Sequence, residues 1–306
     1  MSKYILVSCV FVVVLSFGMV SGFHMGAATG FYQPKIAEPY AKRFAEFIKP
    51  FMNVDMCSEN DECGFREVDN RNQLSCQPFI EDTTRAMVLL AFGQSNSGNH
   101  GDYLHKPVDG IYNLNPFDGL CYQAQDLLLG ATGEQGSVWM PLAEQLIASG
   151  RTDKVLIVPF GVGGSSIERW TLTGDLSGRI KRSIDVLTKQ NIKATHIVWH
   201  QGETDADKGT TSEEYIDMFG EVVEQLGPLG ENIPIYTAVA TRCWGNPNKI
   251  ISTAQQQLPQ VYSNVFSGAN SDSLGNDLRY DNCHFNQQGL AEHAALWFDA
   301  LYAHEQ

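Results

Sequence analysis

Residues 86–96 read Ala-Met-Val-Leu-Leu-Ala-Phe-Gly-Gln-Ser-Asn. The first seven are apolar without a break, the length and character of a strand buried on both faces. The run stops at Gly93, and Ser95 follows two positions later. A serine just past a buried strand, preceded by glycine, can lift its hydroxyl into a cleft while its own N–H stays free, as a serine nucleophile requires. The Gly-x-Ser-x-Gly elbow of α/β-hydrolases is not matched, because position 97 is serine. Taken alone, such a serine is more often an ordinary turn residue.

Downstream of this stretch the pattern is regular. Short β-branched or apolar runs at 87–92, 155–160, 196–200 and 233–240, with a weaker one at 261–267, predict strands. Helical stretches at 141–149, 180–190, 212–226 and 247–258 lie between or beside them, and a long helix at 287–304 closes the chain. Strands alternating with helices imply βαβ units: a three-layer α/β/α sandwich around a parallel sheet, with the active site at the carboxyl ends of the strands. Residues 98–137, rich in Gly, Asn and Asp, read as an inserted loop near the site.

The N-terminus has a different character. Lys3, an almost unbroken apolar run over 5–14 and small residues at Ser21 and Gly22 follow the order of a secretory signal peptide over 1–22, so export to the periplasm or the outside is expected. A retained N-terminal anchor is the alternative; no later segment is apolar enough to cross a bilayer, and stable membrane insertion is not expected. Without the leader, 284 of the 306 residues remain, enough for one large domain, 85–306, behind an extension, 23–84. In that extension residues 36–51 have apolar positions at helical spacing, and 53–82 is polar, acidic and carries three cysteines. Six cysteines lie beyond the leader (Cys57, Cys63, Cys76, Cys121, Cys243 and Cys283), an even number that predicts up to three disulfides in any of fifteen pairings. The formal net charge of −14 repels phosphate backbones and argues against a nucleic-acid partner.

Three further segments carry chemistry. Asp281-Asn282-Cys283-His284 stands just before the closing helix. An aspartate three residues before a histidine on a tight turn can bond Nδ1, leaving Nε2 to take a proton from serine. Gly161-Val162-Gly163-Gly164-Ser165-Ser166 follows the second of these strands, where glycines let a backbone N–H approach a reacting oxygen. Trp199-His200-Gln201-Gly202-Glu203-Thr204-Asp205 includes the end of the third and offers the Gln201 amide. With the N–H of Ser95 these give three donors for a tetrahedral oxyanion.

In combination, Gly-Gln-Ser-Asn, Val-Gly-Gly-Ser-Ser-Ile-x-x-Trp, His-Gln-Gly-Glu-Thr-Asp and Asp-x-x-His resemble, in the same order over about residues 86–303, the sialate O-acetylesterase-like branch of the SGNH hydrolases, which includes carbohydrate acetylesterases. The resemblance implies a flavodoxin-like sheet, no cofactor and no metal, and an acetylated carbohydrate as the substrate partner. Carried over by position, Ser95 is the nucleophile, His284 the general base and acid, and Asp281 its orienting partner. The N–H groups of Ser95 and Gly164 and the side chain of Gln201 form the oxyanion hole. Asn96, Gly163 and Glu203 fall to the substrate pocket. Residues 23–84 lie outside the resemblance.

Three other readings compete. An acetyltransferase could use the same triad to move acetyl onto a polysaccharide. A metal-dependent deacetylase could use His200, Glu203 and Asp205, but His196 and His200 are four strand residues apart, about 13 Å, too far for one zinc. A carbohydrate-binding protein could stack sugars on Trp139, Trp170, Trp199 and Trp244, though aromatic residues in such positions are more often core.

Overall fold

The computed structural model describes residues 71–303, apart from Asp82 and Glu231. The expected leader, the helix over 36–51, Cys57 and Cys63 lie outside the described residues. Eight strands form one sheet: β1 (Gln73–Leu74), β2 (Ala86–Gly93), β3 (Ile111–Leu114), β4 (Cys121–Gln123), β5 (Lys154–Pro159), β6 (His196–His200), β7 (Ile235–Val239) and β8 (Val265–Asn270). Among the described residues six α-helices accompany them: α1 (Trp139–Ala148), α2 (Ser177–Lys189), α3 (Glu203–Lys208), α4 (Ser212–Leu226), α5 (Lys249–Val261) and α6 (Gln287–Tyr302).

The strand order is β1-β4-β3-β5-β2-β6-β7-β8. The six strands from β3 to β8 in that order run parallel, while β4 is antiparallel to β3 and β1 to β4. Taking β2, β5, β6, β7 and β8 as first to fifth, their order is 2-1-3-4-5, the flavodoxin-like arrangement. The chain therefore leaves β2 in one direction toward β5 and in the other toward β6, and a crevice opens at the carboxyl end of β2.

The alternation along β2 makes the three layers. Val88, Leu90 and Phe92 point into one core with side chains of α2, α4 and α5, such as Ile180, Phe219 and Leu258. Met87, Leu89 and Ala91 point into the other, against α1 and α6 through Leu142, Ala294 and Trp297. With both faces covered, β2 needs the continuous apolar run that its sequence has; each large side chain so buried contributes roughly 1.5–3 kcal/mol. Three helix starts obey their capping residues, and on α5 Asn248 accepts from the N–H groups of Ile250 at 2.9 Å and Ile251 at 3.2 Å. Thr211 and Glu214 form a reciprocal capping box on α4, and Asn286 accepts from the Gly289 N–H at 2.9 Å on α6.

The structure corrects one expectation. The stretch 98–137 is more than a loop, since it supplies β3 and β4, which widen the sheet. The buried Asn113 in β3 bridges to the Leu129 backbone, accepting from its N–H at 2.6 Å and donating to its carbonyl at 3.1 Å. Two disulfides join described residues, Cys76–Cys121 and Cys243–Cys283. The first ties the segment after β1 to β4, and Phe79 there is buried in the core. Among the described residues no helix is long and apolar enough to cross a membrane.

Candidate active site

At the end of β2, Gly93 has φ +130°, and a Cβ there would stand 2.1 Å from the carbonyl oxygen of His200 on β6. Only glycine lets the two strands stay this close. The chain then turns through a single 3₁₀ turn, Ser95–Ser97, closed by the Ser97 N–H on the Gln94 carbonyl at 2.9 Å and the Gly98 N–H on the Ser95 carbonyl at 2.8 Å. Ser95 is 6% exposed. Neither its N–H nor its hydroxyl has a hydrogen-bond partner among the described residues.

The loop after β5 is pinned to this turn by the Val162 N–H, which donates to the Gly93 carbonyl at 2.9 Å. Gly163 donates its N–H to the Thr132 hydroxyl at 2.7 Å, so that donor is occupied. Gly164 adopts φ +69°, with open space where a Cβ would be, and its N–H is unpartnered among the described residues. Of the two glycines, Gly164 is therefore the one whose amide is available.

Gln201 is arranged differently from the expectation. It is fully buried, and its amide nitrogen donates to Asp205 Oδ2, to the Ser165 carbonyl at 3.1 Å and to Gln94 Oε1 at 3.2 Å. Its own oxygen accepts from the Tyr215 hydroxyl at 3.1 Å. The amide expected to face an oxyanion instead ties together the loops beneath it. Burial raises the Asp205 carboxyl above its ordinary value despite hydrogen bonds from the Ile167 N–H, Gln201 and Thr210.

The residue that sequence reasoning missed is Gln94. Its Oε1 accepts from the Gly202 N–H at 3.3 Å, the Thr204 N–H at 3.0 Å and Gln201. Two backbone donors fix the orientation of this amide, because only oxygen can receive them. Its NH₂ group has no partner among the described residues, one position before Ser95. The signal was within the quoted Gly-Gln-Ser-Asn, but a glutamine between glycine and serine reads as a spacer.

Asn96 and Glu203 form a buried bridge, 6% and 2% exposed. Asn96 Nδ2 donates to Glu203 Oε1 at 2.9 Å and to the Cys283 carbonyl at 3.4 Å, while Glu203 Oε1 also meets His200 Nε2 at 3.2 Å. Burial pushes the Glu203 carboxyl up, but His200 and the Asn96 amide outweigh it and hold the group below its ordinary value. These two residues stand behind the cleft as a support. The bridge joins the segment that carries Ser95 to the turn that carries His284.

That turn is self-made. Asp281 Oδ1 accepts from the N–H groups of Cys283 at 2.9 Å and His284 at 2.7 Å, and Asn282 takes the left-handed conformation, φ +65°. Oδ2 then meets His284 Nδ1 at 2.7 Å. Burial raises the Asp281 carboxyl, but the backbone and side-chain hydrogen bonds from His284 and Cys283 hold it below its ordinary value, so it stays an acceptor for Nδ1–H. Nε2 faces away, 3.9 Å from Cys283 Sγ, and is not bonded to Ser95 in this arrangement. The imidazole is stacked by His100 at 5.3 Å and by Tyr280 at 6.1 Å between ring centroids. Arg279 braces the turn from below, donating to the carbonyls of Cys283, Arg242 (3.3 Å) and Ser271 (2.9 Å). His100 and Arg279 were not legible as site residues, because neither lies in a recognisable pattern.

His200, Glu203 and Asp205 do not converge. His200 and Glu203 bond each other, while Asp205 serves Ile167, Gln201 and Thr210. Among the described residues no group of three or more His, Cys, Asp or Glu is placed to hold a metal ion.

Residues 85–302 match the model of the carbohydrate esterase family described as sialic acid-specific acetylesterase. The chain belongs to that family. It is thus a carboxylic ester hydrolase of the carbohydrate acetylesterase kind, in the sialate O-acetylesterase-like branch that the four sequence blocks resembled. Among solved structures, a protein from Arabidopsis thaliana superposes with a TM-score of 0.60 at 20% identity, covering 72% of this chain and 99% of that one. NanS gives 0.46 at 16% identity over 72% and 96%, and a carbohydrate acetylesterase from Xanthomonas citri gives 0.48 at 18% over 71% and 56%. The first is a likeness of fold. No curated protein matches the sequence.

Proposed function

We propose that this esterase removes O-acetyl groups from carbohydrate through an acyl-enzyme, with Ser95 as nucleophile, His284 as general base and acid, and Asp281 as the group that orients it. The observation that carries the reading is the Asp281–His284 pair, 2.7 Å apart, joined through the Asn96–Cys283 contact to the turn that presents an unpartnered Ser95. Ser95 Oγ attacks the acetyl carbonyl carbon as His284 Nε2 takes its proton. The carbonyl oxygen becomes an oxyanion held by the free N–H groups of Ser95 and Gly164. The Gln94 amide, anchored through its oxygen, supplies the third donor, and Gln201 acts beneath as its support. Collapse breaks the bond to the sugar oxygen, which takes the proton from His284. A water, deprotonated by the same imidazole, then releases acetate and restores Ser95. On this reading the Ser95–His284 hydrogen bond forms only when substrate binds, since catalytic hydrogen bonds often reach their working geometry only in the complex.

Export accompanies this reading, supported by the leader-like N-terminus and by two cystines, which persist in oxidising compartments.

The test is Ser95→Ala, assayed by acetate release from acetylated xylan and by p-nitrophenyl acetate cleavage. A fall in kcat of roughly 10³-fold or more, with an unchanged melting temperature, is expected. Wild-type turnover by the variant removes Ser95 from the mechanism.

A further inference from the structure

Among the described residues, four of the five tryptophans (Trp139, Trp170, Trp199 and Trp297) are fully buried. The fifth, Trp244, is 66% exposed. A single exposed apolar side chain needs no explanation by itself. What sets Trp244 apart is how the chain holds it.

Trp244 sits in the loop after β7 with φ +53°, a conformation that a bulky residue adopts only when its surroundings impose it. Its N–H donates to the Asn282 carbonyl at 3.0 Å, and Asn282 is itself left-handed. The preceding residue, Cys243, is cross-linked to Cys283, directly before His284. The loop is also anchored at its base, where Asp272 accepts from the N–H groups of Thr241 at 2.7 Å and Arg242 at 2.9 Å. Asn282 and His284 are two residues apart, at most about 7 Å of chain. A strained backbone, a cystine and a hydrogen bond thus display an indole beside the imidazole turn. On the same turn, Tyr280 is 44% exposed and stacked on His284.

We propose that Trp244, together with Tyr280 on the turn to which it is bonded, is a sugar-stacking subsite that receives a pyranose ring next to the acetylated one. This rests on the acetylesterase reading above and specifies its substrate as an acetylated oligo- or polysaccharide. A pyranose presents a face of C–H groups, weakly positive and apolar, which complements the negative face of an indole. The stiff two-torsion side chain on a fixed backbone loses little freedom on binding. A simple ester or lone acetylated monosaccharide has no second ring to place there.

The experiment compares kcat/KM for acetylated xylohexaose with that for p-nitrophenyl acetate in wild type, Trp244→Asn and Trp244→Phe. Asparagine tolerates the left-handed backbone, so the first variant removes the indole without adding strain. In Trp244→Asn the ratio of oligosaccharide to aryl ester should fall about three- to tenfold through a higher KM, and Trp244→Phe should recover most of it. Deacetylated xylohexaose titrated into wild type should change the tryptophan emission saturably, and the change should vanish in Trp244→Asn. An unchanged ratio, or an equal fall on both substrates, overturns the subsite. Absence of wild-type acetate release from any acetylated glycan would count instead against the acetylesterase reading.

Discussion

Around Ser95 the chain is held from beneath. β2 is hydrogen-bonded on both sides, and the Gln94, Gln201 and Asp205 side chains knot together the loops that leave β2, β5 and β6. His284 lies outside the strands of the described residues, flanked only by the isolated Arg279–Phe285 bridge. The turn is held by what it makes locally: the Asp281 carboxylate folded onto two backbone N–H groups, the Arg279 fork, and a cystine to the loop after β7. Ser95 inherits its position from the sheet, while His284 depends on cross-links. The comparison teaches that damage should spread differently from the two sides, as loss of fold from the first and loss of alignment from the second.

The sharpest break in that comparison contrasts two glutamines. On the proposed mechanism Gln94→Ala removes an oxyanion donor and should lower kcat by about 10²–10³-fold. Gln201→Ala leaves buried partners unpaired and should act chiefly on stability, by about 2–4 kcal/mol in urea unfolding. If Gln201→Ala instead retains full stability and loses kcat as Gln94→Ala was expected to, the oxyanion donor is Gln201 and the assignments exchange.

A smaller effect is expected on the histidine side. In the double variant Cys243→Ser with Cys283→Ser, the cystine that closes a 40-residue separation is gone, and stability should drop by about 2–4 kcal/mol. Because the turn aligns His284, kcat on p-nitrophenyl acetate should fall about tenfold beyond any unfolding, measured at a temperature where circular dichroism reports a native fold. Unaltered kcat in the folded variant would mean that Asp281 and Arg279 suffice to hold His284.

The smallest effect concerns pH and belongs to the sheet side. Burial pulls His196, at the start of β6, down to about 4, and burial with nearby positive charge pulls His293 on α6 well below its ordinary value. Between pH 4 and about 6.5 the unfolded chain binds protons at these positions that the native state does not. Stability should therefore fall as pH drops from 7 toward 5, by up to about 1.4 kcal/mol per pH unit for each group. Urea midpoints across that range check it, and His196→Asn should flatten the slope.

Much of this was legible in the sequence because it was written in unbroken patterns. The runs behind β2, β5 and β6 are apolar because both faces are covered, and Asp281-x-x-His284 fixes its own geometry over four residues. β3 and β4 were hidden because they are four and three residues long within a polar stretch, with a buried Asn113 whose side chain bonds the Leu129 backbone. The direction of Gln201 was hidden for another reason. Its side chain is held inward by partners distant in the chain, Gln94, Ser165 and Tyr215. Residue spacing states where a group sits along the chain and is silent on which distant partners draw it inward. Trp244 was indistinguishable from its three named companions for the same reason: exposure is a property of the loop and its staple.

The two-residue β1 has a bearing beyond the site. It lies over the outer side of β4, and the Cys76–Cys121 bond clamps its sequel to that same strand. A broad, mostly parallel sheet ending in a bare strand would offer a row of unpaired amides to its neighbours in a concentrated solution. Here that flank is shut by a stub too short to template another chain and chemically locked so that it does not peel away.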